Sequence, residues 1–521
     1  MPHPGHDRQV YEREIHAVLP RVLALFDDNP VSNTRGTADR LYWSWKLIDY
    51  PNATPQGLVH GLALLIAAGK LPWNINPSTI LERIDAAIDA ASRQCASNGS
   101  LVEAFPHEGS FCVTALVAYD ILCCIDILEP HIERSRSIRW RNCVAPMIAF
   151  LMKADETHAI ISNHLATASA ALFRWSEGGD ARAKQRAEDL LGVILKNQSS
   201  EGWFLEYDGA DPGYETLGLG YLADIYGRHP SKELETALER SLQFIRYAAH
   251  PDGSFGGSYG SRNTRFIYPA GFEILASSLP VAVALAAFAR NSIATRSIPV
   301  LSSMDDTNLA PMFNAYCRAL SAPTFVDSQQ LLLPHQTANT WRKSMPKSGL
   351  TIDNGPGHYT IVSSFKGGIV YHFMKDRKTK PLLDAGVAVV ANDKIYTTQA
   401  FNRNNPVTIR DDQLVIEAEF AAVISEQQTP LTMIILRGLS LTAFRIRPLL
   451  ELFKRMLVRR LITGKKTIDL KNRRIITWGA DLTVHDELIG PIDAKRIPLT
   501  KPFRAIHMAS SGYWQIGDDR T

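Results

Sequence analysis

No C-x-x-C pair and no Cys/His ligand spacing occurs among the six cysteines, which excludes a zinc ribbon and a thiol redox motif. Cys95, Cys112, Cys123, Cys124, Cys143 and Cys317 instead sit within apolar helical patterns, as small core residues of a reducing compartment do. The longest apolar stretches are read near Leu58–Gly69 and Leu279–Ala289 and fall well short of the ~20 residues needed to cross a bilayer. Near Met1 no basic segment leads into an apolar one, so no secretory signal is read and a soluble, cytoplasmic protein is expected. An Asp-rich D-x-D-D or D-D-x-x-D motif is also missing. Against these absences stand 521 residues, 45% hydrophobic and 21% charged, enough for large cores and incompatible with disorder.

The formal charge of +3 hides an asymmetry: residues 1–330 carry a net −8 and residues 331–521 a net +11. A basic C-terminal third raises the local concentration of an anionic partner, an acidic polymer or a membrane surface. No nucleic-acid partner and no cofactor are expected.

A fixed spacing runs through the first part. Apolar, small-residue segments begin near Gly57, Ser110, Asn163, Tyr214 and Pro269, at intervals of 53, 53, 51 and 55. Between them lie amphipathic segments, Ile80–Arg93, Arg139–Lys153, Arg182–Lys196 and Leu234–Ala248, with apolar residues at i, i+3, i+4 and i+7. Such alternation suits two concentric rings, inner helices covered on all sides and outer helices keeping one wet face. Residues ~30–325 therefore predict an (α/α) toroid of about six helical hairpins within an N-terminal domain of 1–325. Beyond Pro323, segments such as Tyr359–Phe365, Gly368–Phe373, Val387–Val390 and Val415–Phe420 predict antiparallel strands, so 330–521 reads as a β-sandwich-like domain and the fold class as multidomain α+β. Residues 447–463 form a basic amphipathic helix, packed across the sheet or lying as a peripheral contact on an anionic membrane.

Each turn entering an inner helix opens at the same end of the ring. Those turns hold Arg40; Asn163 and His164; Trp203, Tyr207 and Tyr214; and Tyr259, Arg262, Asn263 and Arg265. Aromatic rings cover the apolar face of a pyranose, and guanidinium forks pair with carboxylates. Taken singly, Asn163 also reads as a helix N-cap, His164 as a packing residue, Tyr214 as ring filling and Arg262 as a structural ion pair. Their common placement at one rim favours a shared site.

The chain resembles the heparinase II/III-like polysaccharide lyases. The resemblance is carried by Asn163-His164, by Tyr214 within EYDGADPGYETL, and by Asn354-Gly-Pro-Gly-His358 at the opening of the β-region. The segment DNPVSNTRGTADRLYWSWKLIDYPN is similar to members found in polysaccharide biosynthesis loci, which implies a role in envelope or exopolysaccharide metabolism. The family implies a toroid followed by an antiparallel sheet domain, with Asn163, Tyr214 and His358 around a uronate, His164 assisting, and Arg40, Trp203, Tyr207, Tyr259, Arg262, Asn263 and Arg265 binding substrate. The implied reaction removes the C5 proton and expels the C4 substituent by β-elimination; C5 epimerisation fits the same groups. A non-catalytic polysaccharide-binding protein is a further alternative. Asn197–Phe204 and His250–Phe255 are also similar to the Gln/Gly/Trp repeats of terpene cyclases, but the missing Asp-rich motif disfavours that class.

Overall fold

Inner and outer helices separate by composition. In the computed structural model, which describes residues 8–156, 159–323, 331–376, 378–410, 412–423, 429–458, 466–479 and 481–497, the chain begins with α1 (Gln9–Leu25) and the single turn α2 (Arg40–Trp43). It continues through α3 (Val59–Ala67), α4 (Pro77–Gln94), α5 (Phe111–Leu128), α6 (Arg134–Leu151), α7 (Ser162–Ser176) and α8 (Ala181–Lys196). Then come α9 (Pro212–Arg228), α10 (Lys232–Ile245), α11 (Ala270–Leu275), α12 (Pro280–Ala294) and α13 (Leu309–Ser321). The odd-numbered helices α3 to α13 pack each on the next, and α13 returns to α3, closing an inner ring of six. Their small side chains permit this: α7 buries Ala166, Ala168, Ala170 and Ala171 along one helix. α4, α6, α8, α10 and α12 lie outside, and α8 buries only Ala183, Ala187, Leu190 and Ile194, one face in sixteen residues. The sixth outer helix is α1, packed on α13 and α12, so the ring starts at Gln9 and not near residue 30.

The turns entering the inner helices are fixed by caps. The Ser110 hydroxyl accepts from the Val113 N–H, and the Asp211 carboxylate accepts from the Tyr214 N–H with Pro212 at the first helical position. The stretch Phe111–His131 is, against expectation, long and apolar enough to cross a bilayer. An 18-residue window of it is 78% buried within the protein, and its residues Phe111–Leu128 are the inner helix α5.

After α13 the strands form two sheets. β1 (Trp341–Met345), β2 (Leu350–Asn354), β3 (His358–Ser363), β4 (Ile369–Met374) and β5 (Leu382–Asp384) make an antiparallel meander. β6 (Ala388–Ala391), β7 (Lys394–Thr397), β8 (Val407–Ile409), β9 (Gln413–Ala422), β10 (Thr467–Thr477), β11 (Thr483–Ile489) and β12 (Lys495–Ile497) make the second, in the order β11-β10-β9-β7-β6-β12 with β8 on β9. Side-chain alternation gives the first sheet two partners. Tyr359, Ile361, Ile369, Tyr371 and Phe373 join the toroid core, whereas Val362 and Val370 pack on Leu414, Ile416 and Ile476 of the second sheet. The layers therefore run toroid, first sheet, second sheet.

Between β9 and β10 the chain leaves the sheet for a helical hairpin, α14 (Pro430–Leu441) and α15 (Arg447–Val458). Instead of crossing the sheet, α15 packs on the toroid, where Phe444 and Leu450 cluster with Phe105 from the turn before α5. Residues 459–463 of the expected helix lie outside the described residues.

Candidate active site

Three successive turns at one end of the toroid meet around a buried carboxylate, Glu206. The Asn163 Nδ2 donates to Glu206 Oε1 at 2.6 Å, and the Asn163 backbone N–H donates to the same oxygen at 3.2 Å. From the turn before α11, Arg262 Nη1 donates to Glu206 Oε2 at 3.4 Å. The Arg262 guanidinium also lies 3.7 Å from the Tyr214 ring centroid and 5.1 Å from that of Tyr207. Asp211 locks the arrangement: one oxygen caps Tyr214 at the start of α9 while the other accepts from the Arg262 backbone N–H at 3.0 Å. One fully buried side chain thus sets the spacing between the tyrosine and the arginine.

Asn163 is not a helix cap, since α7 begins one residue earlier at Ser162 with Ile161 in the cap position. Its amide is directed across the chain to Glu206. Burial raises the Glu206 carboxyl above its ordinary range, although Arg262, His164 and the Asn163 donors all favour its charge. Arg262 Nε and Asn263 Nδ2 are buried without a protein acceptor among the described residues. Unpaired buried donors typically cost ~1–3 kcal/mol each.

Beside this cluster lies a cavity of about 240 Å³, walled by Glu103, Glu108, Glu156, His164 and Tyr207 and roofed by Arg447, Glu451 and Lys454 of α15. His164 Nδ1 sits 2.9 Å from both oxygens of Glu156. Burial opposes charging of this imidazole, but Cys112 and Glu156 beside it hold its pKa well above the usual histidine value. Tyr207 adopts φ 55°, a left-handed conformation unusual for a side chain of this size, which turns the chain at the cavity wall. Among the described residues no group of three or more His, Cys, Asp or Glu could hold a metal ion.

The structure brings together Asn163, His164, Tyr207, Tyr214 and Arg262, and places the other expected residues differently. His358 is a correction: it follows the Gly355–Gly357 turn on β3, and alternation turns it to the face opposite Tyr359, whose hydroxyl donates to the Tyr247 carbonyl of the toroid. Its Nε2 lies 2.8 Å from Asp353 Oδ2 and its ring 5.6 Å from that of His372, on the side of the second sheet. Trp203 is core rather than sugar platform, buried with its indole donating to Glu201. Tyr259 is likewise buried, its hydroxyl 2.9 Å from His250 Nε2. Asn263 and Arg265 join the toroid to the first sheet: Lys366 Nζ donates to Asn263 Oδ1 at 3.0 Å, and Arg265 Nη2 donates to the Tyr371 hydroxyl at 2.9 Å. Arg40 is exposed on α2, outside the bonds that link Asn163, Glu206 and Arg262.

Glu206, Asp211, Lys366 and Tyr371 escape sequence reading. Glu206 and Asp211 stand in the quoted EYDGADPGYETL segment, whose four acidic residues carry no mark in the sequence that sets these two apart. Only the folded contacts reveal them as buried.

No family model matches the sequence. Among curated proteins, the alpha-onocerin synthase LCD of Lycopodium clavatum is 25% identical over 123 residues, 19% of this chain and 16% of that protein. The chain thus spans about a sixth of the length of the curated relative it matches. Among solved structures, the chain is similar to the Streptomyces coelicolor A3 chondroitin AC lyase in complex with chondroitin sulphate, with TM-score 0.47 and 11% identity over 80% of this chain and 67% of that one. A Paenibacillus xanthan lyase gives TM-score 0.44 and 11% identity over 80% of this chain and 46% of that one. Heparinase III gives TM-score 0.45 and 9% identity over 94% of this chain and 78% of the other.

Proposed function

We propose that this protein is a polysaccharide lyase acting on a uronate-containing polymer at the toroid end where Asn163, Tyr214, Arg262 and His164 converge. The observation that carries the reading is the placement of the Arg262 guanidinium 3.7 Å over the Tyr214 ring, beside a protonatable His164 and a polar cavity. A free tyrosine titrates near ~10, so it serves as a base at neutral pH only when an adjacent cation favours phenolate, and Arg262 is such a cation.

In the proposed reaction the C5–H proton passes to the Tyr214 phenolate, C4=C5 forms, and the C4–O bond breaks with its electron pair on the leaving oxygen. His164, held protonated by its neighbours, returns a proton to that oxygen. Asn163 has a second amide hydrogen, and Arg262 further N–H groups, to oppose the charge developing on the uronate carboxylate.

The test is an ultraviolet screen of uronate polymers for the unsaturated product, with Tyr214→Phe as control. Loss of a proton-transfer group predicts a ~10²–10⁴-fold lower rate with polymer binding retained. Incorporation of solvent deuterium at C5 without chain cleavage would instead assign epimerisation. A second reading has one observation in its favour: Glu206 already engages both Asn163 and Arg262, the proposed carboxylate donors. A binding protein without chemistry would give neither product and the same affinity in Tyr214→Phe.

A further inference from the structure

The helical hairpin α14–α15 presents an apolar face that nothing among the described residues covers. In the twelve residues of α14 only Ser440 is buried. Leu431, Ile434 and Leu441 are 66, 68 and 65% exposed, and Ile435 on the same helix and Leu452 and Met456 on α15 are exposed as well. The opposite face is anchored: Phe444 and Leu450 are buried against Phe105, and Arg437 Nη2 lies 2.6 Å from Asp49 on the toroid. The hairpin is therefore held firmly by one side and left open on the other. Exposed patches of this kind mark an interaction surface in soluble folds.

Charge identifies the occupant. Between Pro430 and Val458 stand Arg437, Arg445, Arg447, Lys454 and Arg455 against the single acid Glu451; Arg437 is held by Asp49 and Arg447 and Lys454 line the cavity, which leaves Arg445 and Arg455, and the sequence continues Arg459-Arg460. Arg445 and Arg455 are exposed beside the apolar residues. An isologous contact between two copies would bring these cations toward those of the second copy. Apolar side chains interleaved with Arg and Lys fit an anionic lipid surface, where the rings of headgroup charge meet the cations and the acyl boundary takes the apolar groups. α14 has twelve residues, well below the ~20 a span requires, so it would lie in the interface plane.

We propose that the α14–α15 hairpin docks the protein on a membrane bearing anionic lipid. Because α15 also roofs the cavity through Arg447, Glu451 and Lys454, docking brings the helix that covers that cavity to the bilayer. The inference is independent of the chemistry assigned to the cleft.

The test is flotation of the full chain with phosphatidylcholine vesicles, with and without about a third phosphatidylglycerol. Binding is expected only to the anionic vesicles, weakened by added salt. Ile434→Ser with Ile435→Ser, both at exposed positions, should lower partitioning by about tenfold or more while leaving the unfolding transition unchanged. Arg445→Gln with Arg455→Gln should remove the preference for anionic lipid. Absence of flotation on anionic vesicles overturns the proposal, as does flotation indifferent to the Ile434 and Ile435 changes. A dimer in light scattering that the isoleucine pair disperses, without vesicle binding, assigns the face to self-association and also overturns it. So does retention on a soluble acidic polymer that depends on the arginines and not the isoleucines.

Discussion

Glu206→Gln tests whether the carboxylate at the centre of the cleft organises it. The substitution keeps the volume and removes one charge from a site where Glu206 and Arg262 are both buried. At the observed 3.4 Å, Coulomb's law with an effective dielectric of about 20 gives an attraction of about 5 kcal/mol. Two effects reduce what is lost. Burial already penalises the Glu206 charge, as its raised pKa records, and the variant is relieved of that cost. Arg262 also keeps its place over Tyr214, a desolvated cation–π contact worth up to about 2 kcal/mol. Removing one partner of a buried pair usually costs about 3–5 kcal/mol, and these offsets put the expected loss at the lower end, about 3 kcal/mol.

The assay is urea unfolding of Glu206→Gln, Arg262→Met and the double variant, read together with hydrogen exchange in α7 and α9, the helices that Glu206 and Asp211 position. The double variant should be about 2 kcal/mol more stable than the sum of the single losses predicts, because the second change removes a charge left without its partner. A Glu206→Gln loss under about 1 kcal/mol, or strict additivity in the cycle, would refute the view that this ion pair holds the turns together.

Three further outcomes are expected. Gly36→Ala should cost at least about 2 kcal/mol in thermal or urea unfolding, since Gly36 has φ +84° and a Cβ would meet the Ala86 carbonyl oxygen at 1.9 Å, backbone against backbone. Tyr371→Phe removes the acceptor of Arg265 and of the Ser258 N–H where the sheet meets the toroid, so stability should fall by about 1–3 kcal/mol. Burial holds the His250 pKa well below its ordinary 6.5, with His335 and Arg265 acting in the same sense, so the unfolded chain binds a proton that the folded one refuses. Stability should therefore decline as pH falls below 6.5, by up to about 1.4 kcal/mol per pH unit for this group, and His250→Asn should flatten that slope in pH-dependent unfolding.

The helical ring was legible because its signal is compositional. Covered helices such as α5 and α7 are apolar or small on every side, outer helices such as α8 are striped, and the two alternate at a near-constant spacing. Asn163 and Tyr214 stand at inner-helix starts in that spacing, Arg262 stands out by the chemistry of the turn before the next inner helix, and the roles given to all three come from the family resemblance. α1 was not legible as a ring member, because an amphipathic helix carries no mark of the neighbour it will meet. Trp203 and Tyr259 misled for a related reason. Aromatics in glycine-rich turns suggest exposed platforms, but these turns fold inward, and His250 supplies the buried Tyr259 hydroxyl with a partner.

The sheet is harder to read, because in a strand a one-residue step reverses the direction of a side chain. His358 and Tyr359 are adjacent, yet the first faces Asp353 beneath the second sheet and the second reaches the Tyr247 carbonyl of the toroid. No composition signal distinguishes those faces here, since the central strands β2, β3 and β4 are buried on both sides and β3 at every position. Among the polar groups that the sheet sends toward the toroid, two reach the turn before α11: Tyr371, at the matching parity on β4, and Lys366, from the turn between β3 and β4. Both contact the turn before α11, which carries Arg262. The sheet therefore bears on the cleft by holding that turn, and Tyr371→Phe should disturb Arg262 through its support while His358→Ala leaves it in place.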